Sequence, residues 1–298
     1  MTDSLQDIKI FISIYEERSF TAAAVREHST QSGISHHIKK LEDRLNAQLF
    51  IRGSGVAVKP TPAGDIFYKG ALKVLRAHDE MINSIEDYKG NFSGEIKIGL
   101  IPAISRGILA PSFAEFTENY PNIKLTIIEG FSHVLPNQVR SGDLDFAISV
   151  STTETPGLLS TYFSTLKCYL ILGKKLEHYD YRALNEEGLG NINLILARPP
   201  NSVRLEIDKY LATNKLRVGT ILEIDSVQAT LEIVSRTNWA TILPGPFSKH
   251  ILNSGEFIFY PIEGNDLIIT TALLQRPYES LSKKSRIFID ILKKESEK

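Results

Sequence analysis

The side chains best suited to reading a surface lie between Gln31 and Lys39. At helical spacing Ile34, Ile38, Leu41 and Leu45 fall on one face, which predicts that this face packs inward. The opposite face carries Ser32, Ser35, His36 and Lys39. Small hydroxyls and a long cation on an outward helix face can reach base edges and phosphates in a DNA major groove. Gln31, at the start of the helix, has an amide able to bond an adenine bidentately. His37 sits nearer the apolar side and is expected to pack in part. A polar helix face by itself is most often merely solvated, so the surrounding elements decide its meaning.

Enzymatic chemistry has no comparable constellation. The sequence holds no His-Glu-x-x-His, no phosphate-binding Gly-x-x-x-x-Gly-Lys-Ser/Thr, no Gly-x-Ser-x-Gly and no Gly-x-Gly-x-x-Gly. Seven histidines are scattered except for His36-His37, and helix neighbours point about 100° apart, too far to chelate one ion. Asp143 and Asp145 read as turn and packing residues. No catalytic residue, metal or cofactor is expected. The single cysteine, Cys168, excludes a disulfide framework and lies in an apolar run that predicts a buried, inert thiol.

The 298 residues suggest about two folding units. With 34 basic and 35 acidic residues the net charge is −1, so any nucleic-acid contact must come from a local patch. Such a patch exists: from Gln31 to Gly64, Lys39, Lys40, Arg44, Arg52 and Lys59 face only Glu42 and Asp43. The N-terminus lacks the pattern of a signal peptide, and no apolar run approaches the roughly 18 residues of a membrane span. A soluble, cytoplasmic protein without membrane contact is expected.

Ile8, Phe11, Ile12 and Tyr15 predict a first helix, and Ser19 or Thr21 can cap a second through Ala22–Val25. The Gln31–Leu45 helix follows, then a hairpin of Leu49–Arg52 and Val56–Val58 around Gly53-Ser54-Gly55. Thr61-Pro62 starts a helix running to about Lys89, in which Phe67, Ala71, Val74, His78, Met81, Ile85 and Tyr88 form a coiled-coil-like seam. Residues 90–94 punctuate the chain. Strands are then expected at Glu95–Leu100, Leu125–Glu129, Asp145–Ser149, Cys168–Leu172, Asn193–Ala197, Ile221–Asp225, Ala240–Leu243, Phe257–Tyr260 and Leu267–Leu274, alternating with helices as in mainly parallel sheets. Helix, turn, helix and hairpin together make a winged helix-turn-helix.

Ser19-Phe20-Thr21-Ala22-Ala23-Ala24, Thr30-Gln31-Ser32-Gly33-Ile34-Ser35-His36-His37-Ile38-Lys39-Lys40-Leu41-Glu42, Leu49-Phe50-Ile51-Arg52 and Thr61-Pro62-Ala63-Gly64 resemble, in order and spacing, the LysR-type transcriptional regulators. Phe113–Pro121 and Gly142–Ile148 extend the resemblance more loosely. It implies an α/β chain with three parts: an N-terminal winged helix-turn-helix over residues 1–65, a linker and dimerisation helix with hinge over 66–93, and a periplasmic-binding-protein-like effector domain over 94–298. Within that domain lobe I takes 94–163 and 267–298, and lobe II takes 164–266. Thr30, Gln31, Ser32, Ser35, His36, Lys39 and Arg52 become the DNA-contacting set. The implied partners are double-stranded DNA, further copies of the chain as homodimer and homotetramer, and RNA polymerase.

Three departures stand out. Gly33 stands inside the recognition helix at a cost of up to ~1 kcal/mol. His36 and His37 are uncommon choices there. The turn at Arg236–Ala240 lacks the usual glycines, and Asn238 can occupy a positive φ where such a turn needs one.

The resemblance also places a small-molecule effector between the lobes. The loop Ile101-Pro102-Ala103-Ile104-Ser105 opens a helix whose first N–H groups are free to bind an anion. Relatives touch ligand through this loop and the one after the second strand, which gives Pro102, Ile104, Ser105 and Ser132. Asn201 and Ser202 face them from another helix start, with Arg204 close behind. Two helix starts among few fixed charges point to a small organic acid or similar metabolite. The alternatives are a regulator without an effector, a solute-binding protein, or an enzymatic α/β protein.

Overall fold

A computed structural model describes residues 4–51, 58–88, 93–151, 155–174, 192–247, 249–262, 267–277 and 280–297. Helix α1, Leu5–Glu17, starts with a reciprocal cap: Ser4 Oγ accepts the Asp7 N–H at 3.1 Å and the Asp7 carboxylate accepts the Ser4 N–H at 3.4 Å. Helix α2, Phe20–Arg26, is capped by Ser19, whose Oγ accepts the Ala22 N–H. Helix α3 spans Gln31–Leu45, as its periodicity predicts, and ends on Asn46 in the left-handed region at φ 49°.

Of the wing, the described residues show one short ladder, and its second strand lies C-terminal to the expected Val56–Val58. Strand β1, Phe50–Ile51, pairs antiparallel with β2, Lys59–Pro60. Val58 falls just outside the ladder because its N–H donates to the Arg18 carbonyl, and Val56 and Ala57 lie outside the described residues.

Helix α4, Pro62–Tyr88, begins with Thr61 Oγ1 accepting the Gly64 N–H at 3.0 Å. A Cβ at Gly64 would lie 2.3 Å from the Leu49 carbonyl oxygen, so glycine is what lets the helix start against the wing. The expected seam is only half an outer seam. Phe67 packs edge-on against Phe11 with ring centroids 4.7 Å apart, and Ala71 and Leu75 are buried in the same core. Tyr68 stacks on Tyr15 at 3.9 Å and donates to the buried Glu16 carboxylate at 2.8 Å. The apolar stripe left outside is Ile66, Val74, Met81 and Ile85, each 48–75% exposed, with Gly70 between. Tyr88 belongs to the helix, but its side chain lies outside the described residues.

The remainder is one twisted α/β assembly. Strands β3 (Gly94–Leu100), β4 (Ile123–Glu129) and β5 (Phe146–Val150) are parallel. Strands β7 (Leu194–Leu196), β8 (Ile221–Glu223) and β9 (Ala240–Pro244) form a second parallel group. Two long antiparallel strands join the groups: β6 (Leu159–Gly173) and β11 (Ile268–Gln275). The first part of β6 pairs with β11, and its second part pairs with β9 and with β10 (Phe257–Pro261). The order is β4-β3-β5-β11-β6-β9-β7-β8. This is the two-lobed arrangement with crossing strands that the resemblance implies.

Helices cover both groups. After β3, α5 (Pro102–Ile104), a π-type turn (Ser105–Leu109) and α6 (Ala110–Asn119) run on as one rod; α7 (Leu135–Ser141) follows β4. Helices α8 (Ser202–Thr213), α9 (Val227–Arg236) and α10 (Lys249–Asn253) flank the second group. Helix α11 (Lys283–Ser296) returns to the first, where Phe288 meets Phe116 edge-on at 4.9 Å. Asn238 does not take a positive φ. Thr237 is extended instead, and its Oγ1 accepts the Trp239 N–H at 3.2 Å, which turns the chain without glycine.

Candidate nucleic-acid interface and ligand cleft

Helix α3 divides cleanly along its length. Ile34, Ile38 and Leu41 are fully buried, while Gln31, Ser32, His36, Lys39 and Lys40 are exposed and Ser35 is half-buried at the edge. Leu45 departs from the expected inward face: it is 39% exposed, because the helix ends before another turn can reach the core. Thr30 caps the helix, its Oγ1 accepting the Gly33 N–H at 3.1 Å with Ser32 Oγ 3.2 Å away. Its hydroxyl therefore has a structural task beside any contact with DNA. Arg52 lies outside the described residues.

A cluster that sequence reasoning passed over fixes the helix on α1. Asp7 accepts from His37 Nδ1 at 2.7 Å and from Arg44 Nη2 at 3.0 Å. Burial raises the Asp7 pKa, but the bonds from His37, Arg44 and Ser4 outweigh it and hold it at about 2. His37 is thus turned inward, as its position suggests, and Arg44 leaves the basic patch to Lys39, Lys40 and Lys59, all exposed. The readable signal for Asp7 was the Ser4-x-x-Asp7 cap; its partners 30 and 37 residues on had none. Glu42, counted only as a charge, accepts the N–H groups of Leu49 at 2.7 Å and Phe50 at 3.2 Å, tying α3 to the wing.

The second candidate site is a cavity of about 70 Å³ between the two strand groups. Ile101, Phe131 and Val150 wall one side; Ile195, Ala197 and Ile224 wall the other. Of the expected residues, Pro102, Ser132 and Asn201 line it. Ile104 does not, being fully buried in the core. Ser105 is turned away and donates to the Pro102 carbonyl and the Glu129 carboxylate, while Ser202 opens α8 outside the lining. A π-type turn displaces Ser105 from the straight helical position, which the sequence pattern does not encode.

Two arginines reach the cavity in different states. Arg204 is held by its own lobe: its Nε bonds both Asp208 oxygens at 2.8 and 2.9 Å, and its Nη1 bonds Ala197 O at 2.7 Å and Glu223 Oε1 at 3.1 Å. Arg106, not foreseen, donates from Nη2 to the Pro244 carbonyl at 2.8 Å and lies 5.1 Å from the Phe247 ring centroid. Its Nε is buried without a hydrogen-bond partner. Desolvation pushes its pKa down to about 10, opposed by the nearby Glu129 charge, so it stays a cation at neutral pH.

A family model described as "LysR substrate binding domain" matches residues 89–297, and one described as "Bacterial regulatory helix-turn-helix protein, lysR family" matches residues 5–65. The chain belongs to the LysR family of bacterial transcriptional regulators. Among its LysR-family relatives is the HTH-type transcriptional regulator BsdA of Bacillus subtilis (strain 168), 23% identical over 290 residues, covering 96% of this chain and 99% of BsdA. Full-length OxyR from Pseudomonas aeruginosa, a cysteine variant, superposes with a TM-score of 0.60 at 22% identity, covering 99% of this chain and 95% of that one. Full-length CbnR in complex with its target DNA gives a TM-score of 0.55 at 17% identity, covering 98% and 99%. These likenesses fix the LysR-type architecture: helix-turn-helix, long helix and substrate-binding domain in one chain.

Among the described residues, no helix is long and apolar enough to cross a membrane, and no group of three or more His, Cys, Asp or Glu side chains could hold a metal ion.

Proposed function

We propose that this LysR-family regulator binds operator DNA through the outer face of α3 and responds to a small molecule held between the two lobes of its C-terminal domain. The observation that carries the DNA reading is the division of α3, with Ile34, Ile38 and Leu41 in the core behind Gln31, Ser32, Ser35, His36 and Lys39. Gln31 and Ser35 read bases, Thr30 sets the helix start, and Lys39 and Arg52 hold phosphates. Residues 1–65, 66–93 and 94–298 act as reader, linker and sensor, the sensor's lobes being 94–163 with 267–298, and 164–266.

The stripe Ile66–Val74–Met81–Ile85 pairs two α4 helices, which sets two recognition helices on half-sites about a helical turn, or multiples of it, apart. Dimers pair into tetramers through the sensor domains, and RNA polymerase is the partner downstream. The effector is a small organic acid. It acts by favouring one lobe arrangement, with no catalytic step and no metal, in a cytoplasmic protein.

Gel-shift titration on fragments from the gene's own control region tests the reading. Gln31→Ala and Ser35→Ala should each cost about 1–3 kcal/mol of discrimination at the bases they read, and Lys39→Ala should flatten the salt dependence by about one unit. Unchanged operator affinity in both Gln31→Ala and Ser35→Ala would remove α3 as the reader.

A further inference from the structure

Resting on the regulator reading above, we propose that the winged helix-turn-helix, α4 and lobe I move as one body, and that lobe II is the part of the chain that swings. One end of the ladder between β6 and β11 carries this. Leu159, which opens β6, pairs with Gln275, which ends β11. Just beyond each of them the chain touches the DNA-binding part. Gly157 lies against Glu16 of α1, and the Pro277 carbonyl accepts from Arg76 Nη2 of α4 at 2.6 Å.

The Gly157 contact is close and bears on a fixed side chain. A Cβ at this position would lie 3.0 Å from Glu16 Cδ and 3.1 Å from Glu16 Oε2, and Gly157 has φ 72°, so space and backbone both call for glycine. The Glu16 side chain is 2% exposed. Its carboxylate meets Arg26 Nη1 of α2 at 2.8 Å and accepts from Tyr68 of α4 at 2.8 Å. The loop before β6 therefore rests on a group that already joins α1, α2 and α4, the scaffold behind α3.

The linker adds to the hold. Lys284 of α11 donates to the Ser93 carbonyl at 3.5 Å. Further along, α4 runs beside lobe I across a crevice of about 330 Å³, with His78 and Ile82 on one wall and Gln275 and Leu281 on the other. Gly157, Gln275, Pro277, Leu281 and Lys284 all belong to lobe I.

Further into the ladder the strands are built to bend. Thr271 pairs with Ser164 but Ala272 with Tyr162, so Phe163 is an extra residue and the register shifts. The buried Ser164 Oγ and Thr271 Oγ1 lie 2.9 Å apart at this point. On the docked side, Ala272 to Leu274 also pair with β5 of lobe I; on the other, β6 goes on to pair with β9 and β10 of lobe II. A change of lobe arrangement then pivots lobe II at the shift and leaves the reader where lobe I holds it. An effector alters what lobe II presents to another copy of the chain and does not swing the reader of its own.

Pulsed electron-spin distance measurements on the full-length chain test this, with nitroxide pairs on introduced cysteines and excess unlabelled chain so that each distance lies within one copy. Cys168 is buried and stays unlabelled. The pairs are Lys9→Cys with Lys124→Cys (reader to lobe I), Lys124→Cys with Asp290→Cys (within lobe I) and Lys9→Cys with Lys209→Cys (reader to lobe II), all at exposed positions. The reader–lobe I distribution should be as narrow as the one within lobe I, and the reader–lobe II distribution broader. Gly157→Asn puts a side chain against Glu16 at a φ that asparagine tolerates, and Arg76→Ala removes the second contact. Together they should broaden the reader–lobe I distribution and leave the pair within lobe I unchanged. The double variant should also bind DNA from the gene's own control region roughly fivefold more weakly or worse, at an unchanged salt slope, because it loses pre-orientation and no phosphate contact. A wild-type reader–lobe I distribution as broad as reader–lobe II, a double variant as narrow as wild type, or undiminished DNA binding by the double variant each overturns the inference. Arg76→Ala, at an exposed position, tests the ladder end by itself if Gly157→Asn fails to fold. The distances are measured without DNA, so a wild type that is rigid as expected but binds no control-region DNA removes the regulator reading and leaves the shared body standing.

Discussion

Glu42 sits in the basic segment that should face DNA, so charge and structure make opposite demands on it. If it were only a negative charge near phosphates, removing it would tighten DNA binding and steepen the salt dependence. Its contacts say otherwise: one oxygen accepts the N–H groups of Leu49 and Phe50, residues that are 1% and 2% exposed, and so fixes the first wing strand to α3. Glu42→Ala leaves two buried backbone donors unmet. At about 1.5–3 kcal/mol for a hydrogen bond to a charged group, and with one carboxylate shared between both, the loss comes to about 2–4 kcal/mol. In a domain this small that lowers the midpoint of its unfolding transition by about 10 °C or more.

Glu42→Gln keeps an oxygen acceptor in place and removes only the charge. The pair therefore separates the two roles. Differential scanning calorimetry and gel shifts over a range of salt should show Glu42→Ala destabilised and binding operator at least tenfold more weakly. Glu42→Gln should be close to wild type in stability and bind DNA as tightly or more tightly. A Glu42→Ala protein that melts like wild type and binds DNA more tightly refutes the structural role, and the wing would then owe its position to other contacts.

Other outcomes follow from single features. Asp7 has a folded pKa of about 2 against an ordinary 3.8, so its stabilisation, on the order of 2 kcal/mol, is complete above pH 4 and is lost as pH falls toward 2. Asp7→Asn should be less stable at neutral pH and flatter on the acid side; an unchanged acid limb in chemical denaturation would count against the cluster. Burial pushes the Cys168 thiol up to about 12, so Ellman's reagent should react only as the protein unfolds, and rapid reaction with the native chain would contradict the buried placement. Val74→Glu with Met81→Glu puts charges into the exposed stripe of α4 and should give monomers with greatly weakened operator binding. If sedimentation shows no change of mass, the pairing surface lies elsewhere.

Local periodicity and capping chemistry were enough to place the N-terminal helices and the approximate position of most strands, but not the full length of β6, Leu159–Gly173, or its antiparallel pairing with β11. The extent of α3 and its buried row Ile34–Ile38–Leu41, the caps Ser19 and Thr61, and the β3, β4 and β5 strands all express interactions within a few residues of one another. The family was legible for the same reason, since its blocks sit in that local pattern. Choices among neighbouring faces were not. Phe67 and Ala71 fit an outer seam as well as an inner one until the Phe11 ring claims them, and the exposed stripe moves to Ile66 and Val74.

The cavity between the two strand groups shows the limit most plainly. Ser105 and Arg106 are adjacent in the chain, and helix-start logic favours the serine. What turns the arginine to the cavity is a π-type turn and a carbonyl 138 residues away, at Pro244. Asp7 likewise acquires its meaning from His37 and Arg44, and Glu42 from the wing. Backbone conformation is governed by neighbours in sequence, so it can be read there; the partner a polar side chain finds is settled only when distant segments are brought together and water is removed from between them.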